Sequence, residues 1–350
     1  MNKRENLLRA VRFETPEYIP ITCSISDACW EEYPQSALQD LMAEHPMLFP
    51  GFRKTEKEII PDYLPRQRAD KPSTDSWGCV WKTSHNGITG TVVDNPLADW
   101  NKFDQYRPPS PAEHDGWGPI DWKQIRKEMS AARRQSRLAQ ASLRHGHTFM
   151  TLMYLRGYEN LVFDMHDRNP RLPELVNMVK EFNLGLVHRY VEAGAEWMAY
   201  PEDLGMQTGP MLSPEHFRQY IKPVYRNLIA PAREAGCVIH MHSDGDVRDL
   251  SNDLIDAGME VLNIQDLVNG IEWVKQNLKN RVCIDLDIDR QSVTRFGTPG
   301  QIHDHIRTAV QELGSKRGGL TLVYGLYPGT PLENAGAVME AMEKCSGYFS

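Results

Sequence analysis

Long apolar runs are missing from this sequence. No stretch approaches the roughly 20 apolar residues needed to cross a bilayer. The charged, amphipathic opening MNKRENLLRAVRFETP has neither the apolar core nor the cleavage signature of a secretory signal. We therefore expect a soluble, cytoplasmic protein that does not bind a membrane.

Paired cysteines and an excess of positive charge are missing as well. The six cysteines of the 350 residues form no CxxC pair, which argues against a disulfide framework and a zinc ribbon. Any bound metal must therefore take its ligands largely from His, Asp and Glu. The formal net charge is -8 and basic residues alternate with acidic ones, so nucleic acid is not an expected partner.

From about residue 146 onward, short β-prone runs alternate with amphipathic helical segments such as 173–194 and 213–236. Strands separated by helices imply parallel pairing. No GxGxxG follows a strand, so a dinucleotide-binding sheet has no support. We predict an α/β fold, a (β/α)8 TIM-type barrel forming a single domain over residues 1–350. The predicted strands are YIPIT (18–22), HTFMTLMY (147–154), WMAYPED (197–203), CVIHMHSD (237–244), VLNIQDL (261–267), VCIDLDID (282–289) and LTLVYGLY (320–327).

Residues 50–120 break this alternation and are rich in Pro, Asp and Trp. Within them, an Asn86-Gly87 turn lies between strand-like flanks, which is a hairpin signal. We interpret this region as an N-terminal helical and hairpin insertion that caps one mouth of the barrel. Residues 124–144 are then predicted to form a polar surface helix.

Reactive groups of such barrels come from the C-terminal ends of the strands. The side chains at these ends predict an acidic and aromatic pocket that is rich in imidazole. They are Tyr154, Arg156, Glu202, Asp203, His240, His242, Asp244, Gln265, Asp266, Asp285, Asp287, Asp289, Tyr324 and Tyr327.

The segment HMHSDG (240–245) carries two histidines at alternate positions of one predicted strand. Residues i and i+2 share a face, so His240 and His242 could bind one metal ion, with a carboxylate from Glu202 or Asp203. A hydrogen-bonded structural pair is the alternative for the histidines, and a helix cap or salt bridge for the carboxylates. Arg156 could bind an anionic group or form a structural ion pair.

The sequence resembles the uroporphyrinogen decarboxylase superfamily, which also contains zinc-dependent corrinoid methyltransferases. The resemblance covers nearly the full length and implies a (β/α)8 barrel. It is carried by RENLLRAVRFETPEYIPI, LRGYENLVFDM (155–165), EDLGMQTGPMLSPEHFRQYIKP (202–223), HMHSDGDVRDLSNDLIDAGMEVLNIQ (240–265), FGTPGQI (296–302) and GTPLENAGAVMEA (329–341).

Two departures from the superfamily bear on the reaction. The decarboxylases have an Arg-Gln-Ala-Gly-Arg stretch after the first strand, whereas this chain has ITCSISDACWEEYP, without arginine to bind a polycarboxylate. The thiol-methylating members bind zinc through His-x-Cys and a second Cys. Here the first pair is His240-Met-His242, and Tyr324-Gly-Leu-Tyr-Pro precedes Thr330 without a cysteine.

Histidine and carboxylate ligands leave more positive charge on zinc than thiolates do, which favours activation of an oxygen or amine. We therefore expect a demethylase component that transfers a methyl group from a methoxylated or N-methylated small molecule to a Co(I) corrinoid on a partner protein. The expected zinc ligands are His240, His242 and Glu202, with Asp203 as the other carboxylate considered. The expected catalytic residues are Glu202, Asp203, Tyr154 and Arg156, and the expected substrate-binding residues are Tyr158, Glu159, Gln265, Asp285 and Tyr324.

Two other functions stay open from the sequence. One is a metal-free decarboxylase acting on another carboxylated substrate, with a pocket carboxyl group as proton donor. The other is a non-catalytic barrel that binds a corrinoid or tetrapyrrole. The tryptophans of WGCVW could serve a homodimer or contact the corrinoid protein, or they could simply pack under the cap.

Overall fold

The computed structural model describes residues 1–350, which form two compact units. Unit 1 comprises Met1–Pro72, Lys82–Gly90 and Gln265–Ser350, and unit 2 comprises Ser73–Trp81 and Thr91–Ile264. None of the helices combines the length and apolar character that a membrane span requires.

The β-structure comprises twelve strands. They are β1 (Ile21–Ile25), β2 (Ser73–Thr74), β3 (Val80–Lys82), β4 (Thr91–Asp94), β5 (Gln140–Ser142), β6 (Trp197–Pro201), β7 (Gly205–Met206), β8 (Gly209–Pro210), β9 (Val238–Ser243), β10 (Val261–Gln265), β11 (Cys283–Asp287) and β12 (Leu320–Leu326).

Fifteen α-helices connect and cover the strands, and a short π-helical segment at Phe217–Ile221 joins α8 to α9. The helices are α1 (Lys3–Arg12), α2 (Cys29–Glu32), α3 (Gln35–Glu44), α4 (Trp122–Arg134), α5 (Phe149–Arg156), α6 (Tyr158–His166), α7 (Leu172–Ala193), α8 (Pro214–His216), α9 (Lys222–Glu234), α10 (Ser251–Ala257), α11 (Asp266–Asn269), α12 (Ile271–Asn277), α13 (Val293–Phe296), α14 (Pro299–Leu313) and α15 (Leu332–Ser346).

Unit 1 is built on three parallel strands in the order β1-β12-β11. β12 is the central strand of the three, and Leu320, Leu322 and Leu326 of this strand are buried. Helices α14 and α15 pack against each other, and α15 also packs on β1 and β12. α14 begins at Pro299 because the Thr298 side chain accepts a hydrogen bond from the Gln301 amide, as in a capping box.

Unit 2 is built on four parallel strands in the order β5-β6-β9-β10. Along β9, Ile239 and Met241 are buried, whereas the alternate residues His240 and His242 are only partly buried and lie on the other face. The helix-facing side of the neighbouring β6 is marked by Tyr200, whose hydroxyl donates to the Leu228 carbonyl of α9. The alternation thus leaves both histidines on the face of the sheet away from α9.

The predicted α/β class is confirmed, since parallel strands alternate with helices in both units. The helix predicted over 173–194 is α7, which ends where Gly194 adopts φ 89°. The helix predicted over 213–236 is present as α8, the π-helical segment and α9.

Two predictions around residue 140 were wrong. Residues 147–154, predicted as a strand, lie mainly in α5, and the helix predicted over 124–144 ends at Arg134 and is followed by β5. The run FMTLMYLR contains strong helix formers, and a short apolar run does not distinguish a strand from a buried helix. β5 has only three residues and is defined by its pairing with β6 rather than by its own β-propensity.

The irregular region of residues 50–120 contains a small sheet in the order β2-β3-β4, with β2 and β3 antiparallel. The predicted Asn86-Gly87 turn lies in the chain between β3 and β4, and Gly87 has φ 76°. Trp77 from this region packs edge-on against Phe182 of α7, with ring centroids 4.8 Å apart. The region therefore contributes aromatic side chains to the core of unit 2.

Candidate metal centre

Three strands of unit 2 end side by side and bring three metal-ligating side chains together. β5, β6 and β9 are parallel neighbours, so their C-terminal ends lie at one edge. His145 follows β5, Asp203 follows β6, and His242 is the penultimate residue of β9. The three residues form one cluster, called here the His145–Asp203–His242 triad, in which one ligand atom from each lies within 4.8 Å of the others.

The triad is centred on the carboxylate of Asp203. Its Oδ1 lies 3.3 Å from His145 Nε2 and 3.7 Å from His242 Nε2. The Asp244 amide donates to the same oxygen at 3.1 Å. The rings of His145 and His242 are 5.7 Å apart and tilted by 50°, so both converge on Asp203 from different sides.

The separations of the two imidazole nitrogens from Asp203 Oδ1 are close to those expected around a zinc ion. Ligand atoms bound at about 2.0–2.1 Å in a tetrahedral site lie roughly 3.3 Å from one another. The donor set of two imidazoles and one carboxylate is a usual one for catalytic zinc, which keeps a further position open. The His145 side chain is 42% exposed, so the cluster is open on the His145 side.

Burial and the charges within the triad together shift all three pKa values. Burial opposes ionisation of Asp203, but the hydrogen bond and charge of His145, together with the charge of His242, lower the pKa of Asp203 to about 2. Burial also tends to lower the pKa of His145, yet Asp203 outweighs it and the net pKa is raised. For His242 burial dominates and the pKa is lowered, which favours the neutral imidazole that a metal requires.

Asn263 of β10 orients the His242 ring. The register places Asn263 directly beside His242, and its Oδ1 is hydrogen-bonded to His242 Nδ1. An amide oxygen only accepts, so Nδ1 carries the proton and Nε2 presents its lone pair toward Asp203. Metal-bound histidines typically donate a hydrogen bond from the other ring nitrogen to an acceptor of this kind.

Glu202, an expected zinc ligand, lies outside the triad. Its side chain is fully buried, and its Oε1 accepts hydrogen bonds from the backbone amides of Thr148 at 2.9 Å and Met150 at 2.8 Å. The Tyr225 hydroxyl donates to its Oε2. Burial raises the pKa of Glu202 to about 7, and the three hydrogen bonds oppose that rise. Glu202 therefore anchors the start of α5, which begins four residues after His145.

His240, the other expected ligand, also lies outside the triad. It is on the same face of β9 as His242 but two residues earlier, which corresponds to about 6–7 Å along the strand. Its ring lies against Trp197, with centroids 5.3 Å apart. Of the expected set of His240, His242 and Glu202, the structure thus places only His242 in the triad, together with Asp203 and His145.

Three expected site residues of unit 2, Arg156, Tyr158 and Glu159, lie outside the triad. Arg156 is buried, pairs with Asp164 at 2.8 Å and donates to the Leu97 and Ala98 carbonyls, so it forms a structural ion pair. Tyr158 donates to the Met211 carbonyl at 2.7 Å, and Glu159 is exposed in the first turn of α6.

Three further expected substrate residues belong to unit 1. Gln265 is the last residue of β10, Asp285 of β11 accepts a hydrogen bond from Thr321 at 2.6 Å, and Tyr324 of β12 is fully buried. Burial raises the pKa of Tyr324 above its usual value. Their assignment to substrate binding stays a prediction.

His145 and Asn263 were not predicted from the sequence as site residues. Residue 145 fell between a predicted helix and a predicted strand, so it was not placed at a strand end. The signal was present as His145-Gly-His147, a second histidine pair spaced like His240-Met-His242. Asn263 could be identified only through its register with His242.

The comparison with protein families decides the classification. The chain matches the family described as Uroporphyrinogen decarboxylase (URO-D) over residues 79–345. The chain belongs to this family. Its URO-D segment includes the whole triad and every strand from β5 to β12. The predicted superfamily is therefore confirmed.

Relatives within the URO-D family are distant. A uroporphyrinogen decarboxylase of Homo sapiens is 27% identical over 164 residues, and the match covers 45% of this chain and 42% of the relative. One of Prochlorococcus marinus (strain NATL1A) is 22% identical over 170 residues, covering 45% and 46%. The chain thus spans less than half of the length of these curated relatives.

A methyltransferase from Methanosarcina mazei has a similar structure over almost the whole chain. The TM-score is 0.61 with 19% sequence identity, and the match covers 97% of this chain and 98% of that one. At this identity the likeness concerns the fold. It agrees with the predicted TIM-type α/β fold of the URO-D family.

Proposed function

We propose that this URO-D family member is a metal-dependent methyltransferase that demethylates a small methoxylated or N-methylated compound. The observation that carries the proposal is the His145–Asp203–His242 triad, with its donor atoms at zinc-compatible separations. The methyltransferase from Methanosarcina mazei, which shares the fold, supports the same reaction class. A bound zinc ion would supply a Lewis acid for the heteroatom that carries the methyl group.

The chain's own residues prepare the site. Asp203 and the two imidazoles would provide one negative charge among three ligands, so a zinc ion held by them would remain a strong Lewis acid. Asn263 keeps the Nε2 lone pair of His242 available. Glu202 anchors the backbone that follows His145, so the His145 loop and the end of β6 are held together.

The proposed reaction balances with one co-substrate. The bond from the methyl carbon to oxygen or nitrogen breaks, and its electron pair stays on the heteroatom. The methyl group passes to a Co(I) corrinoid on a partner protein, whose electron pair forms the new cobalt–carbon bond and which is formally oxidised to Co(III). The demethylated product takes a proton from water.

Metal analysis of the full chain tests the proposal. Protein purified without chelators is expected to contain about one zinc ion per chain, and His145→Ala or His242→Ala is expected to lose most of it. His166→Ala, an exposed histidine on α6, is the control and should retain the metal. Metal-free wild-type protein that releases carbon dioxide from a carboxylated substrate would instead support the decarboxylase alternative.

Adjacent carboxylates provide a matched pair for the same measurement. Asp203→Asn should lose zinc because a carboxamide is a poor replacement for an ionised ligand. Glu202→Gln makes the same chemical change one residue away and should retain zinc, since its carbonyl oxygen can still accept from Thr148 and Met150. Retention by Asp203→Asn together with loss by Glu202→Gln would restore Glu202 as the ligand.

A further inference from the structure

Three aromatic rings form a continuous wall in unit 2. Trp117 packs edge-on against Trp81 at 5.0 Å, and Trp81 packs edge-on against Tyr154 at 4.7 Å. Trp81 is 3% exposed and its indole nitrogen donates to Asp75 at 3.0 Å, so the central ring is fixed. Trp117 and Tyr154 are partly exposed. This set is called here the aromatic wall.

The Tyr154 end of the aromatic wall lies beside the triad. A Cβ placed on Gly146, the residue after His145, would be 3.2 Å from a ring carbon of Tyr154. Met150 connects the same ring to Asp203, because its sulfur accepts from the Asp203 amide at 3.3 Å and from the Tyr154 hydroxyl at 3.7 Å. The ring of Tyr154 thus lies against Gly146, the neighbour of His145, and is connected to Asp203 through Met150.

The aromatic wall and the triad favour a neutral aryl ether over a quaternary ammonium ligand. Arg144 is buried, forms an ion pair with Asp75 at 3.3 Å and already lies over Trp117, with its guanidinium carbon 4.8 Å from the ring centroid. Arg144 therefore already occupies the cation–π position on Trp117, and a quaternary ammonium ligand has no lone pair for a Lewis acid to polarise. An aryl ether offers a ring for edge-on or offset contact and an oxygen with lone pairs.

We infer that the methyl donor is an aryl methyl ether, whose ring packs on Tyr154 and the aromatic wall while its oxygen faces the triad. This inference rests on the proposed function. The bond from the methyl carbon to oxygen breaks with its electron pair left on the aryl oxygen, and the methyl group passes to the partner's Co(I) corrinoid. The leaving group is a phenolate, which with a pKa near 10 leaves more readily than an aliphatic alkoxide.

Calorimetric measurement of ligand binding to the full chain tests the donor class without the corrinoid. The probes are 2-methoxyphenol as the aryl ether and glycine betaine as the quaternary ammonium compound. We expect 2-methoxyphenol to bind wild-type protein more tightly than glycine betaine does. Tyr154→Leu should lower the affinity for 2-methoxyphenol up to about tenfold because the ring contact is lost. Tyr154→Phe keeps the ring, and its affinity for 2-methoxyphenol should stay within about threefold of wild type.

Zinc content of the same samples separates the two hypotheses. Both Tyr154 variants should retain the wild-type zinc content, which also shows that the site has folded. If wild-type protein holds zinc but binds 2-methoxyphenol no better than Tyr154→Leu does, or prefers glycine betaine, the donor inference is overturned and the proposed function stands. If wild-type protein holds no zinc, the proposed function fails, whatever the ligands do.

Discussion

The orientation of His242 in the candidate metal centre depends on Asn263, which is hydrogen-bonded to the ring nitrogen that does not face Asp203. The Oδ1 atom of Asn263 accepts a hydrogen bond from the Nδ1–H group of His242. This single hydrogen bond determines which ring nitrogen keeps a lone pair for a metal. A leucine at position 263 has a similar size but cannot accept a hydrogen bond. The ring would then be free to rotate or to change tautomer.

We predict that Asn263→Leu lowers the zinc affinity of the full chain by about 10- to 100-fold, the usual effect of removing such a partner. Asn263→Asp, which keeps an acceptor oxygen in the same place, should remain close to wild type or bind more tightly. Competition with a chromophoric chelator measures both. Equal zinc affinity in Asn263→Leu and wild type would show that packing alone orients His242.

At the scale of elements, the loops after β6 and β9 cross in direct backbone contact. Gly245 has φ 81°, and a Cβ at this position would lie 2.2 Å from the Gly205 carbonyl carbon. The Asp246 amide donates to the Met206 carbonyl at 2.7 Å, and the Leu204 amide donates to the Ser243 hydroxyl at 2.9 Å. This crossing holds the Asp203 loop against the end of β9.

We predict that Gly245→Ala separates the two loops, lowers zinc affinity by at least about tenfold and costs about 1–3 kcal/mol of stability through strain and overpacking. Gly236→Ala is the matched control, because Gly236 has φ 79° in the same unit and no atom within 4 Å of an added Cβ. It should cost stability while leaving zinc affinity unchanged. Chelator competition and chemical unfolding measure both quantities, and equal zinc losses in the two variants would contradict the crossing's role.

The elements also show which parts of the structure could be predicted from sequence. β6 and β12 are largely apolar, and β9 and β11 alternate apolar with polar residues, so these strands and the polar residues at their ends were recognisable. β5 could not be, because three residues carry no periodicity and its pairing with β6 is a tertiary effect. The start of α5 depends on Glu202, a residue 52 positions away from the Met150 amide that it binds. Both errors fell on the segment that carries His145.

At the scale of the whole molecule, global stability should depend on the charge of His305 in α14. Its Nε2 lies 2.6 Å from an oxygen of Asp266, a fully buried carboxylate. Burial lowers the pKa of His305, but the hydrogen bond to Asp266 and the charges of Asp266 and Asp289 outweigh it, and the net pKa lies above 6.5. The folded state therefore binds this proton more tightly than the unfolded state does.

A raised folded-state pKa stabilises the protein fully below pH 6.5, the unfolded value, and the stabilisation is lost as pH rises through the folded-state pKa. We predict that the unfolding free energy of wild-type protein falls, relative to that of His305→Gln, as the pH rises from about 6 to 8. Denaturant titrations at each pH measure it. His303→Gln is the control on the same helix, because His303 pairs with the exposed Glu340 and should preserve the wild-type slope. A slope in His305→Gln identical to wild type would contradict the assignment.

The short length of β5 makes the segment around it a site of early local unfolding. A strand of three residues is secured by few main-chain bonds, and it is followed directly by the turn that holds His145. A metal ion bound by His145, Asp203 and His242 would stabilise this segment. Amide hydrogens around residues 140–150 would therefore exchange with solvent much faster in the metal-free protein than in the metal-bound protein.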